Sequence, residues 1–442
     1  MIAHEAVSQD DRSGITRTMI QGIDEHCPIK VVNEYVAPIN PARHRVVNRA
    51  GIVNSRNAPH LHLTIETTES FMNNEITGRP DTDFIECRLM ASHSLMKWVE
   101  IDLSVIAGNA AWVKSQLPKG AGFVAAVKAD GYGHGAAEVS KVVLKAGAER
   151  LGVRDLSEAA VLRRAGIKAP IQMLAPFLPE DSAEALRLDV IPIIESLVQA
   201  KALHRAAKGK KIRLQVDLEF GLARWGLPSK ELPALMKGLA KLRGISVDGL
   251  AAHLGYIPGK NAVEAEEKLG AFERLAAPYK RLDPNLRLRA ASSTVFMDFP
   301  HRRFDLACVG NLLYGINRSK IRPSALKMPW RFVARVISVR EAAKGASIGY
   351  ASEYLVPRRM TIATLPAGYA DGLTMQPAER LIGLGASRSF WGKRNGINLP
   401  FVGRCGISHV LVDATGLPGV KPGDAVELPV RRTATNVPRV YL

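Results

Sequence analysis

Hydrophobic and polar positions fall into three regimes along this chain. Up to residue 95 they keep no clear period, and Pro38, Pro41, Pro59 and Pro80 interrupt the stretch, so weak order is expected over 1–95. From Trp98 the pattern changes. Short apolar runs (GFVAAVK from 122, RLGVRD from 150, PIQMLAP from 170, VIPIIES from 190, IRLQVDL from 212, VDGLAAHLG from 247, LRLRAASS from 286, FDLACVG from 304) alternate with segments of helical spacing. Ahead of them VEIDL reads as a strand and Ser104 to Lys114 as a helix. Val139, Val142 and Val143 recur at helical spacing among Glu138, Lys141 and Lys145, and SEAAVLRRAG is expected to open on Ser157 as N-cap and close at Gly166. Eight strands alternating with helices predict an α/β fold, a (β/α)8 TIM barrel over residues 96–325. After Ala325 the helical spacing stops. WRFVARVISVREAAKG, MTIATLPAGYADG, INLPFVGRCG, HVLVDAT and DAVELPV are short β-type runs broken by Gly and Pro, which predicts a C-terminal all-β domain over 326–442.

Chemistry in such a barrel sits at the C-terminal ends of the strands. Gly122 to Gly135, GFVAAVKADGYGHG, reads as strand, lysine, glycine loop and helix. Burial at the end of an apolar run favours the neutral amine, so Lys128 is a candidate nucleophile or base that can form a Schiff base. Asp217 and Arg224 follow the fifth strand, His253 the sixth, Ser293 the seventh, and Gly310 and Asn311 the eighth.

Composition narrows the class. A length of 442 residues with 47% hydrophobic content permits two sizeable cores. No apolar stretch approaches the roughly 20 residues of a membrane span, and the N-terminus carries no hydrophobic signal core, so a soluble, cytoplasmic protein is expected. Cys27, Cys87, Cys308 and Cys405 lie far apart without a CxxC pair, which fits reduced thiols and no metal site. The net charge is +18, but the basic residues are scattered, with one short cluster at Lys208, Lys210, Lys211 and Arg213 and no aromatic interleaving. That is a solvated basic surface rather than a nucleic-acid site.

The lysine loop resembles the pyridoxal-phosphate signature of the alanine racemase family, usually AVVKADAYGHG, and the resemblance extends from Met96 to Leu442. It implies pyridoxal 5′-phosphate as cofactor, a small amino acid as substrate, and a homodimer with shared sites. It assigns the cofactor's imine to Lys128, its phosphate to Tyr132, Ser293, Gly310 and Asn311, and its phenolic oxygen to Arg224, with His253 nearby. It implies that Lys128 and Tyr350, the latter in GASIGYASEY, are opposing bases, since racemisation needs one on each face of Cα. A tyrosine works as a base near neutrality only beside a cation, here Arg224 or His253. Tyr369 and Asp371 in LPAGYADGL are expected to line the substrate entrance, and Ile407 to hold the substrate carboxylate. The VEIDL strand (98–103) is expected to join the β domain. Met96 begins the family's usual N-terminus and is a candidate initiation site.

The chain departs from the family at four places. Cys308 stands where an arginine faces the pyridine nitrogen, so fidelity against transamination is in question. Gln215 replaces a lysine, often carbamylated, and Arg224 follows Asp217 by seven positions instead of five. Ile407 and Ser408 replace Met and Asp, and the ending lacks the NYE segment whose tyrosine binds phosphate. A racemase of alanine is the reading these residues support. A broad-specificity racemase, a fold-type III decarboxylase and a non-catalytic cofactor carrier are the alternatives.

Overall fold

The computed structural model describes residues 46–48, 51–53, 95–373, 391–430, 432 and 435–442. Of the stretch 1–95, for which weak order is expected, only a hairpin of β1 (Val46–Asn48) and β2 (Gly51–Val53) and the last residue belong to them; the remainder lies outside the described residues. The chain divides into two units, Met1–Leu95 and Met96–Leu442.

In the second unit β3 (Lys97–Ile101) precedes a (β/α)8 barrel. Its strands are β4 (Gly122–Ala126), β5 (Arg150–Val153), β6 (Ile171–Met173), β7 and β8 (Val190–Ile191 and Ile193–Ile194), β9 (Ile212–Leu218), β10 (Ile245–Ala252), β11 (Arg287–Arg289) and β12 (Leu306–Val309), paired in parallel. Pro192, which has no N–H to give, splits the fourth strand into β7 and β8. The ring closes between β11 and β12 through a bridge from Ser292 to Cys308, whose N–H donates to Ala291 O at 2.8 Å. Every residue of β4 is buried, as expected of a parallel strand covered on both faces. Phe123 and Ala125 pack outward with Ile106, Val139 and Val143 of the surrounding helices.

The inner face is partly polar. Arg150 of β5 reaches across the barrel to Asp248 of β10, a strand that is not its neighbour, at 2.5 Å. Asp248 also accepts from Gln215 Nε2 at 3.2 Å, and Gln215 Oε1 accepts from Arg289 Nε at 3.0 Å. Removing one partner of such a buried pair strands the other, at a cost of about 3–5 kcal/mol.

Two local expectations need correction. The helix Leu156–Arg164 is capped by Asp155, whose Oδ1 accepts the Glu158 N–H at 3.0 Å, and not by Ser157. The carboxylate is the stronger acceptor, and Ser157 gives its own hydroxyl to it at 2.6 Å. The helix after β3 runs Leu103–Ser115 from an Asp102 cap.

The β domain comprises β13 (Trp330–Arg335), β14 (Ser338–Ala342), β15 (Ser347–Ile348), β16 (Tyr354–Leu355), β17 (Met360–Leu365), β18 (Trp391–Arg394), β19 (Ile397–Val402), β20 (Val410–Asp413), β21 (Ala425–Leu428) and β22 (Arg439–Tyr441). Nine strands form one sheet in the order β14-β17-β20-β19-β18-β21-β13-β3-β22. Thus β3 pairs antiparallel with β13, Trp330 opposite Ile101, and carries the chain from the sheet into the barrel. β18 has no counterpart among the runs predicted from the sequence. Its signal was the Asn395-Gly396 pair, both at positive φ, which turns β18 into β19 as a tight hairpin. Among the described residues no helix is long and apolar enough to cross a membrane.

Candidate active site

Lys128 stands half-buried at the mouth of the barrel, two residues past the end of β4, and leads into an unusual turn. Ala129, Asp130, Gly131 and Tyr132 all have φ between 52° and 60°, one turn of left-handed helix. For residues with a Cβ this costs roughly 1–2 kcal/mol each, so Ala129, Asp130 and Tyr132 keep it only because their surroundings over-determine it. Gly131 N–H donates to Val127 O at 2.7 Å and Gly135 N–H to Asp130 O at 2.9 Å. Asp130 Oδ1 accepts the Ala136 N–H at 2.7 Å, at the start of the helix Ala136–Lys145. Ala129 N–H donates to Glu158 Oε1 and Arg154 N–H to Glu158 Oε2, both at 2.7 Å, which ties the first strand's loop to the second's.

The turn delivers Tyr132 to the end of the eighth strand. Its ring stacks on Tyr314 at 4.8 Å, and Tyr314 donates its hydroxyl to Ala126 O at 3.0 Å. A Cβ on Gly310 would lie 2.4 Å from the Tyr132 phenol oxygen, so only glycine there lets the phenol close down. Burial, with the neighbouring Cys308, pushes that phenol up to about 12, so it remains a hydrogen-bond donor. Gly310 N–H donates to Ser293 Oγ at 3.0 Å, which leaves the Ser293 hydroxyl proton to point elsewhere. Ser293 opens the helix Ser293–Asp298, and with Thr294 and Asn311 it lines a small cleft. Strand ends one, seven and eight thus meet, the first two bringing the Tyr132 and Ser293 hydroxyls and the eighth a bare glycine and the Asn311 amide. The half-buried Cys308 lies beside them in β12, opposite Val124.

His134 is fully buried, with Nδ1 at 3.0 Å from Gly131 O and 3.1 Å from Tyr132 O. Two carbonyl acceptors assign the proton to Nδ1. Burial, then Arg432, pushes the imidazole down to about 4. Its ring packs between Tyr314 at 4.6 Å and Trp330 of the β domain at 5.1 Å.

Across the mouth, His253 directly follows β10. Its side chain is exposed, yet the protein around it, then the cations Arg224, Arg289 and Lys128, disfavour its charged form and push it down to about 4. Asp217 is buried, and burial pushes it up to about 6 against the pull of Arg289, whose guanidinium lies 3.9 Å away. Arg224 is exposed in the loop after β9, stacked 4.4 Å over the Trp225 ring. Arg289 was missed in the sequence, although the alternation in LRLR already put two arginines on one face of β11.

The remaining site residues form a second group on the β domain. Tyr350 is 69% exposed in the turn Tyr350–Ser352, and its ring lies 3.8 Å from a Cβ built on Gly406. Tyr369 N–H donates to Gly406 O and Ala370 N–H to Ile407 O, each at 3.0 Å, so the loops carrying Tyr350, Tyr369 and Ile407 are woven together. Tyr369 and Ile407 are also exposed. Asp371, expected beside Tyr369 at an entrance, is instead buried. It pairs with Lys97 of β3 at 2.8 Å and accepts the Gly368 N–H at 2.9 Å, because a buried carboxylate must be matched by charge and donors. Ser408 turns its hydroxyl to His409 Nδ1 at 2.9 Å.

Two family models match this chain: the alanine racemase N-terminal domain over residues 101–318 and the alanine racemase C-terminal domain over 330–439. An alanine racemase of Desulfosudis oleivorans is 32% identical over 347 residues, covering 74% of this chain and 86% of that protein. The structure of alanine racemase from Bacillus anthracis with bound L-Ala-P is similar at a TM-score of 0.68 and 26% identity, over 78% of this chain and 95% of that one. The structure of alanine racemase from Bartonella henselae with covalently bound pyridoxal phosphate shares the fold at a TM-score of 0.67 and 24% identity, over 79% of this chain and 100% of that one.

Proposed function

The chain belongs to the alanine racemase family, and from that premise we propose that it interconverts L- and D-alanine with pyridoxal 5′-phosphate. The observation that carries the reading is the junction at the barrel mouth, where the Lys128 turn, the Tyr132 phenol on Gly310 and the Ser293 hydroxyl converge. These residues fit the cofactor: a phenol held protonated and a serine hydroxyl with its proton free suit a phosphate, with Asn311 beside them, and a lysine stands one turn away. Bound there, the cofactor supplies an electron sink for the pair left at Cα when a proton departs.

The protein supplies the rest. Lys128 takes the Cα proton from the D-isomer on one face, and Tyr350 takes it from the L-isomer on the other. A tyrosine base needs a cation nearby. Arg224 and His253, both at the barrel mouth, are the candidates for it. Ile407 and Tyr369 would hold the substrate, and Cys308 would serve the bound cofactor's ring where the family carries a cation. Because Tyr350 is exposed on the β domain among exposed Leu355, Tyr369 and Ile407, it acts in the barrel mouth of a second copy, in a cytoplasmic homodimer. The working unit is the barrel of 96–325 with the β domain of 326–442.

Purified protein incubated with the cofactor and a series of L-amino acids, followed by chiral analysis in deuterated water, tests this. Accumulation of D-alanine with deuterium at Cα is expected, and inversion of larger amino acids as well would broaden the substrate range. Carbon dioxide release instead would mark a decarboxylase, and bound cofactor with neither outcome a carrier.

A further inference from the structure

The lysine-bearing turn is gripped from outside the barrel. β22, the chain's last strand, runs parallel to β3 with Val440 opposite Glu100, and the ladder continues from Leu442 N–H to Ile101 O and from Leu103 N–H to Leu442 O. This register sets two side chains of β22 against residues 130–135. Arg439 Nη1 lies 2.6 Å from Asp130 Oδ2, in the middle of the left-handed turn. The Tyr441 hydroxyl lies so close to Gly135 that a Cβ there would stand 1.9 Å from it, and Arg439 also hydrogen-bonds the Tyr441 phenol. Asp130 is thus bonded inward through Oδ1 to Ala136 N–H and outward through Oδ2 to the β domain. A strained turn needs both holds, since released from either it can relax toward the right-handed region and carry Lys128 with it.

We propose that Arg439 is a positioning residue for the reaction: by gripping Asp130 it holds the left-handed turn that aims Lys128 at the barrel mouth, and so makes the lysine's placement depend on the docking of the last strand of the β domain. The proposal rests on the reading of Lys128 given above.

The test uses the full chain with Arg439→Gln, Arg439→Lys, Asp130→Asn and a control, Arg331→Gln, which cuts the Arg331–Glu100 ion pair next to β22 without touching the turn. Cofactor uptake by each apoprotein is followed by visible absorbance, and kcat and KM for alanine are measured separately. Because small misplacements of a reacting group are costly, Arg439→Gln and Asp130→Asn are expected to weaken uptake and lower kcat by on the order of tenfold, with KM within about twofold. Arg439→Lys restores most of both, and Arg331→Gln behaves as wild type. Unchanged uptake and kcat in Arg439→Gln and Asp130→Asn, beside an active wild type, would overturn this inference alone. So would an equal loss in Arg331→Gln, which would mark a general effect on the sheet. A wild-type chain that takes up no cofactor would overturn both the inference and the function it rests on.

Discussion

On the proposed mechanism Lys128 and Tyr350 divide the work by face, and that division is measurable. Lys128→Ala is expected to abolish the visible absorbance that appears on adding pyridoxal phosphate, and to lower activity by on the order of a thousandfold or more. Tyr350→Phe needs a subtler readout, because the equilibrium constant of a racemase is one and ties the two directions of turnover together. The faces separate in solvent exchange. D-Alanine should still exchange its Cα proton for deuterium without inverting, while exchange from L-alanine falls by on the order of a hundredfold; equal losses would reverse the assignment. His134 makes a prediction about pH. Its imidazole sits near 4 in the fold against 6.5 in an unfolded chain, so the unfolded state binds the proton first. The stability contributed by the neutral ring is present above about 6.5 and is lost as pH falls toward 4, up to about 3 kcal/mol for this fully buried group. NMR titration should find its ring still neutral at pH 5, and a midpoint near 6.5 would contradict the packing described.

Elements matter here through their ends. The eighth strand finishes at Val309, and Gly310 is where the backbone must stay bare for the Tyr132 phenol to approach. Gly310→Ala would drive a methyl into that oxygen and push the phenol off its place against Tyr314. We expect the fold to survive, with unchanged far-ultraviolet circular dichroism, and cofactor affinity to fall about tenfold, which is about 1.4 kcal/mol. Full affinity in this variant would mean that the phenol does not touch the phosphate. The inner polar chain from Arg150 through Asp248 and Gln215 to Arg289 works at the same scale. It fixes a cation, Arg289 of the seventh strand, beside Asp217, while position 308 on the eighth carries a thiol.

For the molecule as a whole, the β domain does two things for the barrel. It caps the lysine loop through Trp330 and Arg439, and it carries Tyr350 on an exposed turn that a single chain leaves uncovered. A chain starting at Met96 is therefore expected to keep both fold and activity, since the first family match begins at residue 101 and the unit that holds the candidate site spans Met96–Leu442. Insoluble or inactive protein from that truncation would show that residues 1–95 belong to the working unit. Dilution of the full chain should lower specific activity once copies separate, as the proposed sharing of sites between two copies requires.

What the sequence determined alone was the order and kind of most elements, because apolar spacing is a local property: short apolar runs for the strands, a period of three to four for the helices, Gly and Pro between them. The lysine loop was readable for the same reason, as strand, lysine and glycines in an unbroken row. Smaller local signals mislead more easily: the serine at 157 reads as a cap, while the carboxylate of Asp155 two residues earlier is the one that accepts the helix N–H. Tertiary structure decided the rest. That Asp371 turns inward to Lys97, that Gln215 joins Arg289, and that the last strand reaches back to Asp130 all depend on residues more than 70 positions apart. No local period encodes such pairs; they follow from barrel closure and sheet register, which set a charge beside its partner only once the whole chain has packed.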